Sequence, residues 1–293
     1  MPKEREQISI IGAGVVGTAL ACLAHRAGYQ VAAIASRRLT SADQACRMLG
    51  RDVAVADPAE AARRGRIVLI TTPDDAIASV CKSLAEAGAF QSGAVVGHCS
   101  GALSSEVLAP ARERCGACVA SVHPMQTFAT AAGALSHFAG TWCFCEGDAQ
   151  AVARLGDLFT AIGGRVEQIS TANKVLYHAA GVVACNYLVV LLEAAGELAK
   201  QAGVDRVQAM AAMRPLVSAT IENVSRIGPT DALTGPIARG DVETVERHLP
   251  AIEQVSSELA ALYRVLGRRA LAIAKLKGTV DDAAATRLRE LLS

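Results

Sequence analysis

The run Ile8-Ser-Ile-Ile-Gly12-Ala-Gly14-Val15-Val16-Gly17 constrains this chain more than any other ten residues. A short β-rich stretch stops on G-x-G-x-x-G and gives way at once to the helical pattern Val16–Ala27. In a strand–turn–helix each glycine has a mechanical task. Gly12 makes the tight turn, Gly14 lets the backbone approach a pyrophosphate, and Gly17 lets the helix press on the strand. The N–H groups at the head of that helix, from Val15 and Val16, then meet the phosphates with the positive end of the helix dipole behind them.

The pattern continues as a βα alternation. Strands are predicted at Ile8–Ile11, Gln30–Ala35, Ile67–Thr71, Ala94–Gly97 and Cys118–Val122, and helices at Ala59–Arg64, Asp74–Ala87 and from Ser104. Two further strands, Trp142–Cys145 and Arg165–Gln168, flank a helix at Ala149–Ile162. From Thr171 to Ser293 only helical periodicity remains, punctuated by Gly203, Pro215, Gly228–Pro229 and Gly235–Pro236. The expected fold class is α/β: a Rossmann-type doubly wound parallel sheet over residues 1–169, followed by an all-α C-terminal domain over residues 170–293.

The end of the second strand selects the cofactor. An NAD site places Asp or Glu there for the ribose 2′-hydroxyl. This chain has Ser36-Arg37-Arg38 instead, a hydroxyl and two guanidinium forks suited to a 2′-phosphate. NADP is therefore expected, with NAD less favoured. Thr71-Thr72-Pro73 should lay its backbone along the cofactor, with Asp74 capping the next helix. His98-Cys-Ser100-Gly101 and Ser121-Val-His123-Pro-Met-Gln126 are expected to follow later strands on the same edge, where open α/β sheets bind ligands.

Lys174 and His178 are four residues apart at the start of the helical half, and so share a helix face, with Tyr177 flanking them and Asn186 further along. The pair suits proton transfer during hydride delivery, with the lysine pKa lowered by partial burial. A capping lysine beside a satisfied core histidine explains the same spacing. Arg239, in Thr234-Gly-Pro-Ile-Ala-Arg-Gly-Asp241, is either a carboxylate anchor or a turn residue bonded to Asp241.

The motifs His98-Cys-Ser-Gly-Ala-Leu103, Ser121-Val-His-Pro-Met-Gln-Thr-Phe128, Tyr177-His-Ala-Ala180, Asn186-Tyr-Leu188 and Thr234–Asp241 together give the chain a family resemblance. It resembles the 6-phosphogluconate dehydrogenase-like superfamily, which includes ketopantoate reductase, 3-hydroxyisobutyrate dehydrogenase and pyrroline-5-carboxylate reductase. Within it, the chain is most similar to a family joining a Rossmann-like domain to a helical domain of unknown function. The resemblance implies a Lys acid or base at Lys174, although His178 stands where those relatives carry Asn. It also implies substrate contacts at Ser100 and in the loop from His123 to Gln126, and a homodimer formed through the helical domain.

Composition narrows the partners. A net charge of +1 gives no electrostatic reason for nucleic acid. The longest apolar stretch seen, Gly181–Leu192, falls short of the roughly 20 residues a bilayer requires. The polar start, Met1–Gln7, argues for a cytoplasmic protein. Nine cysteines, many in apolar runs such as those at Cys22, Cys81 and Cys185, read as reduced, small buried hydrophobes. The lone Cys115-x-x-Cys118 implies no metal. Aromatic residues make up only 3 %, which argues against a pocket built on stacking. The function expected is NADPH-dependent reduction of a C=O or C=N group on a small carboxylate-bearing metabolite. The alternative is a nucleotide-binding sensor or regulatory protein without turnover.

Overall fold

The computed structural model describes residues 5–55 and 57–293. The chain divides into two compact units, one ending at Val182 and one spanning Val183–Ser293.

The first unit is an eight-stranded sheet with helices on both faces. In chain order its elements are β1 (Gln7–Ile11), α1 (Val15–Arg26), β2 (Gln30–Ala35), α2 (Leu39–Leu49), β3 (Ala54–Val55), α3 (Pro58–Arg64), β4 (Ile67–Ile70), α4 (Asp74–Glu86) and β5 (Val95–His98). A 3₁₀ turn at Ser105–Leu108 leads into α5 (Ala109–Cys115). Then come β6 (Cys118–Pro124), α6 (Ala131–His137), β7 (Trp142–Gly147), α7 (Ala149–Ala161), β8 (Arg165–Gln168) and α8 (Lys174–Gly181). The strand order is β3-β2-β1-β4-β5-β6-β7-β8, so the winding reverses between β1 and β4. Ligands bind at such a switch point, outside the carboxyl ends of the strands.

Side chains that alternate along a strand point to opposite faces, which accounts for the two cores. Ile8, Ile10, Ile34, Leu69 and Val122 face one side together with Leu20, Leu155 and Phe159. Ile11, Ala35, Val68, Ile70 and Val119 face the other with Ile77, Leu84 and Phe90. Strands buried on both faces read as continuous apolar runs, as Ile67–Ile70 does.

The structure corrects four expectations. The sheet is not wholly parallel, because β7 runs antiparallel to β6 before β8 returns parallel to β7. β6 runs past the expected Val122 to Pro124, so His123 lies within the strand rather than in a loop after it. Three elements were not anticipated at all: α2, β3 and α6. Asp74 does not cap α4; the cap position is Pro73, without a side-chain bond, and the Asp74 carboxylate accepts the Ser100 hydroxyl instead.

The second unit contains α9 (Tyr187–Gln201), α10 (Arg206–Ala232), α11 (Val242–Val255), α12 (Ser257–Lys277) and α13 (Asp282–Leu291), preceded by a π-helical turn at Val182–Asn186. Its core joins Val245, Leu249, Leu271, Leu288 and Leu292. Pro215 lies inside α10 without ending it, whereas Gly228 (φ 79°) kinks it. Val189, Val190, Val207, Leu216 and Ile221 on α9 and α10 are exposed. Helical turns run without a break from Thr171 to Gln201, 31 residues, long and apolar enough by length and composition to cross a membrane. The shorter apolar stretch read from sequence is corrected accordingly, because the helix continues past polar residues that interrupt the apolar run. All nine cysteines are free; Cys22 and Cys81 are buried as expected, but Cys185 is exposed. Among the described residues no cluster of three or more His, Cys, Asp or Glu could hold a metal ion.

Candidate cofactor groove and active site

The glycine loop packs as the spacing predicts. Gly12 adopts φ +116°, and a Cβ there would meet the Thr71–Thr72 backbone at 2.7 Å. A Cβ on Gly17 would come within 2.1 Å of the Gly12 carbonyl oxygen. The Thr71 hydroxyl closes the turn by donating to that same oxygen at 2.7 Å. Gly14, by contrast, borders open space.

The N-terminus of α1 is bare. Its cap, Gly14, makes no side-chain bond, and its first turn holds no acidic residue. The bond from Thr18 N–H to the Gly14 carbonyl starts the helical ladder, so the amides of Val15, Val16 and Gly17 precede it. Beside this turn lies a groove of about 720 Å³, whose walls include Gly12, Gly14, Thr71, Thr72, Pro73 and Asp75. Ser36, Arg37, Arg38 and Ser41 line it too. Arg37 and Arg38 are exposed, and neither guanidinium has a hydrogen bond or ion pair among the described residues. The Thr72 hydroxyl is buried and has no partner among the described residues. Unneutralised helix amides, a cradle that a Cβ at Gly14 would fill and uncommitted guanidinium groups together fit a dinucleotide with an extra phosphate.

A second cluster forms where α8 crosses β6 and β7. Ser121 lies directly opposite Glu146, and the next same-face pair is His123 opposite Phe144. Successive turns of α8 meet these rungs in order. Lys174 meets the first: its ammonium donates to Glu146 Oε1 at 3.1 Å and to the Ser121 hydroxyl. Tyr177 meets the second: its hydroxyl lies 2.8 Å from His123 Nδ1, and its ring centroid lies 4.8 Å from that of Phe144. His178 stands 5.9 Å from His123, ring to ring. A Cβ on Gly101 would sit 2.5 Å from His178 Nδ1 and 2.9 Å from His123 Nε2, so Gly101 is the spacer between the two imidazoles.

The electrostatics follow from burial. Lys174 and Glu146 are each 1 % exposed. Burial pulls the lysine below its usual pKa, and Glu146 opposes that shift. Burial would raise the Glu146 carboxyl, but bonds from Ser105, the charge of Lys174 and the Thr171 hydroxyl together hold it below its usual value. Desolvation, with repulsion from His178 and Lys174, takes His123 down to about 4, so it is neutral near pH 7. Burial pushes the Tyr177 phenol up to about 12. His98 also falls to about 4, chiefly through burial and then Lys174. Its Nδ1 accepts the Ser100 N–H at 3.1 Å, so Nε2 carries the hydrogen that meets the Ser104 carbonyl.

Of the residues singled out in the sequence, Gly101, His123, Lys174, Tyr177 and His178 come together here. Lys174 is burdened with more than spacing suggested: it is wholly, not partly, buried and tied to Glu146. The Ser100 hydroxyl is committed as well, donating to Asp74 at 2.6 Å and accepting from the Ala102 and Leu103 amides. Asn186 and Arg239 belong to the second unit. Arg239 is 66 % exposed at its side chain and approaches Asp241 at 4.0 Å. Glu146 escaped notice, although one carboxylate in the apolar strand Trp142–Gly147 was a usable signal. The sparse aromatics escaped too: Trp142 stacks on Phe144 at 6.2 Å, and Arg165 lies over Trp142.

Two family models match the sequence, a Rossmann-like domain over residues 1–124 and the domain of unknown function DUF2520 over residues 141–270. The chain joins a Rossmann-like domain to a DUF2520 domain. No curated protein matches it. Among solved structures it is similar to a Bacteroides fragilis protein, BF3122, assigned provisionally as an NADP oxidoreductase (24 % identity, 92 % of this chain and 99 % of that one, TM-score 0.73). Protein TM1727 from Thermotoga maritima is similar at 24 % identity and the same coverage, with TM-score 0.71. A reductive aminase from Aspergillus terreus, solved with NADPH and ethyl-5-oxohexanoate, matches at 15 % identity over 96 % of this chain and 98 % of that one, with TM-score 0.70. At these identities the likeness is one of fold.

Proposed function

We propose that this chain is an NADPH-dependent oxidoreductase that reduces a C=O or C=N group on a small carboxylate-bearing metabolite. The observation that carries the reading is the groove at the bare end of α1, where Ser36, Arg37 and Arg38 stand in place of a carboxylate. Gly12, Gly14 and Gly17 shape the floor, the Val15 and Val16 amides receive the pyrophosphate, and Thr71–Pro73 form the opposite wall. A reduced nicotinamide bound here supplies a hydride. The polar stripe of α8 supplies the proton, with His178 beside Gly101 and Lys174 setting the field beneath. The NADPH complex of the Aspergillus terreus reductive aminase, on the same fold, supports the reading. Arg239 of the second unit, mostly exposed and only loosely paired with Asp241, is kept as a candidate carboxylate-binding residue.

Arg37→Ala is expected to weaken NADPH binding by about 1–3 kcal/mol, the range for a lost hydrogen bond to a charged group, and to leave NADH binding nearly unchanged. Fluorescence titration with both nucleotides measures this. Equal loss for the two would remove the 2′-phosphate from the reading.

The exposed apolar residues of α9 and α10 support a homodimer formed through the second unit, since large apolar side chains left exposed in number are what an interaction site presents. Sedimentation velocity should find a dimer, and Leu216→Glu with Ile221→Glu should shift it to monomer. A wild-type monomer at micromolar concentration would refute the assignment.

A further inference from the structure

We propose that Tyr177 is the residue that hands the proton to the substrate, and that His123 and His178 behind it form the line along which that proton is replaced. The inference rests on the oxidoreductase reading and assigns its proton at the level of atoms.

Lys174 is the first candidate by position, but its ammonium is committed to Glu146 and Ser121 and is out of reach of solvent. One turn on, Tyr177 has a hydroxyl with a single partner among the described residues, His123 Nδ1 at 2.8 Å. A neutral imidazole has one N–H and one bare nitrogen. When His123 carries its hydrogen on Nδ1 and donates it to Tyr177, the phenol's own hydrogen is free to point at a substrate. His123 Nε2 is then the bare nitrogen, and Gly101 brings it to the side where His178 Nδ1 lies. His178 is half-buried and therefore in exchange with water.

The step balances as follows. As the substrate carbon gains a hydride, the electron pair of its double bond settles on the oxygen or nitrogen. That atom bonds the Tyr177 proton while the phenol O–H breaks. The phenolate takes the Nδ1 proton of His123, and His123 Nε2 takes one from the side of His178 through intervening solvent, which leaves His123 in its Nε2–H form. Exchange of the part-exposed His123 ring with water then restores its Nδ1–H form. The net change is one hydride and one solvent proton added across the double bond. Positioned proton donors contribute typically 10²–10⁴-fold in rate.

The test is Tyr177→Phe, which removes one oxygen and keeps the ring on Phe144. Turnover of NADPH with a panel of small keto acids and cyclic imino acids should fall by about 10²–10⁴-fold, with NADPH affinity unchanged. Nitrogen-15 NMR of the ligand-free protein gives a second readout: His123 should carry its hydrogen on Nδ1 in the parent and shift toward the Nε2–H form in Tyr177→Phe. Parent-like turnover by the variant, or a bare Nδ1 in the parent, would overturn the relay. Failure of the parent to bind NADPH would instead overturn the oxidoreductase reading, and the imidazole spectrum would still decide the polarity of the pair.

Discussion

Glu146→Ala should destabilise the first unit by about 3–5 kcal/mol, because removing one partner of a buried ion pair leaves an uncompensated charge. Glu146 accepts from four groups: the Ser105 amide, the Ser105 hydroxyl, the Thr171 hydroxyl and Lys174. The loss should depend on pH in a definite direction. Without Glu146, the main influence opposing burial at Lys174 is gone, so its folded pKa falls further below its unfolded value. Between those two values the unfolded chain binds the extra proton, and stability rises with pH. The deficit should therefore be smaller at pH 9 than at pH 7. Adding Lys174→Met to Glu146→Ala should recover part of the loss, since the stranded charge is gone. Chemical denaturation at both pH values measures all three quantities. A single variant within about 1 kcal/mol of the parent would mean that the pair contributes no more than an exposed one.

The second large effect separates two glycines of one motif. Gly17→Ala drives a methyl into the Gly12 carbonyl, where a Cβ would lie at 2.1 Å, so the loop must rearrange. Lower thermal stability and loss of nucleotide binding should come together. Gly14→Ala meets open space in an extended backbone conformation (φ −80°, ψ −168°). It should cost the fold less than about 1 kcal/mol, the order of a helix-cap change, and yet weaken NADPH binding by about a hundredfold, roughly 2.7 kcal/mol, because its methyl occupies the phosphate's approach. Thermal melting and nucleotide titration of both variants check this. Intact binding by Gly14→Ala would place the phosphates elsewhere.

The cofactor groove was legible in the sequence because its parts are local. Gly12, Gly14 and Gly17 lie within six residues, and Ser36–Arg38 sits at a strand end fixed by the alternation. The cluster around α8 was only half legible. Helical spacing put Lys174, Tyr177 and His178 on one stretch, but the partners that define their tasks come from β6, β7 and the turn after β5. Register between β6 and β7 places Ser121 opposite Glu146, and no periodicity along one strand reports which residue stands across from it. The antiparallel β7 was missed for a related reason. The strand–helix–strand pattern of Trp142–Gln168 is the same whichever way β7 pairs with β6. Aromatic content misled as well: an average over the whole chain said nothing of three rings, Trp142, Phe144 and Tyr177, gathering at one place.

The pairing of helix turns with strand rungs has a bearing on how such a protein changes its diet. Lys174 fastens α8 to one rung, and the residues proposed to meet a substrate sit at the next, beside Phe144 and Trp142. The anchor and the palate are thus separate positions. Replacing Phe144 or Trp142 is expected to alter the proposed substrate pocket without loosening the bolt, which would open new preferences to this scaffold by single substitutions on β7.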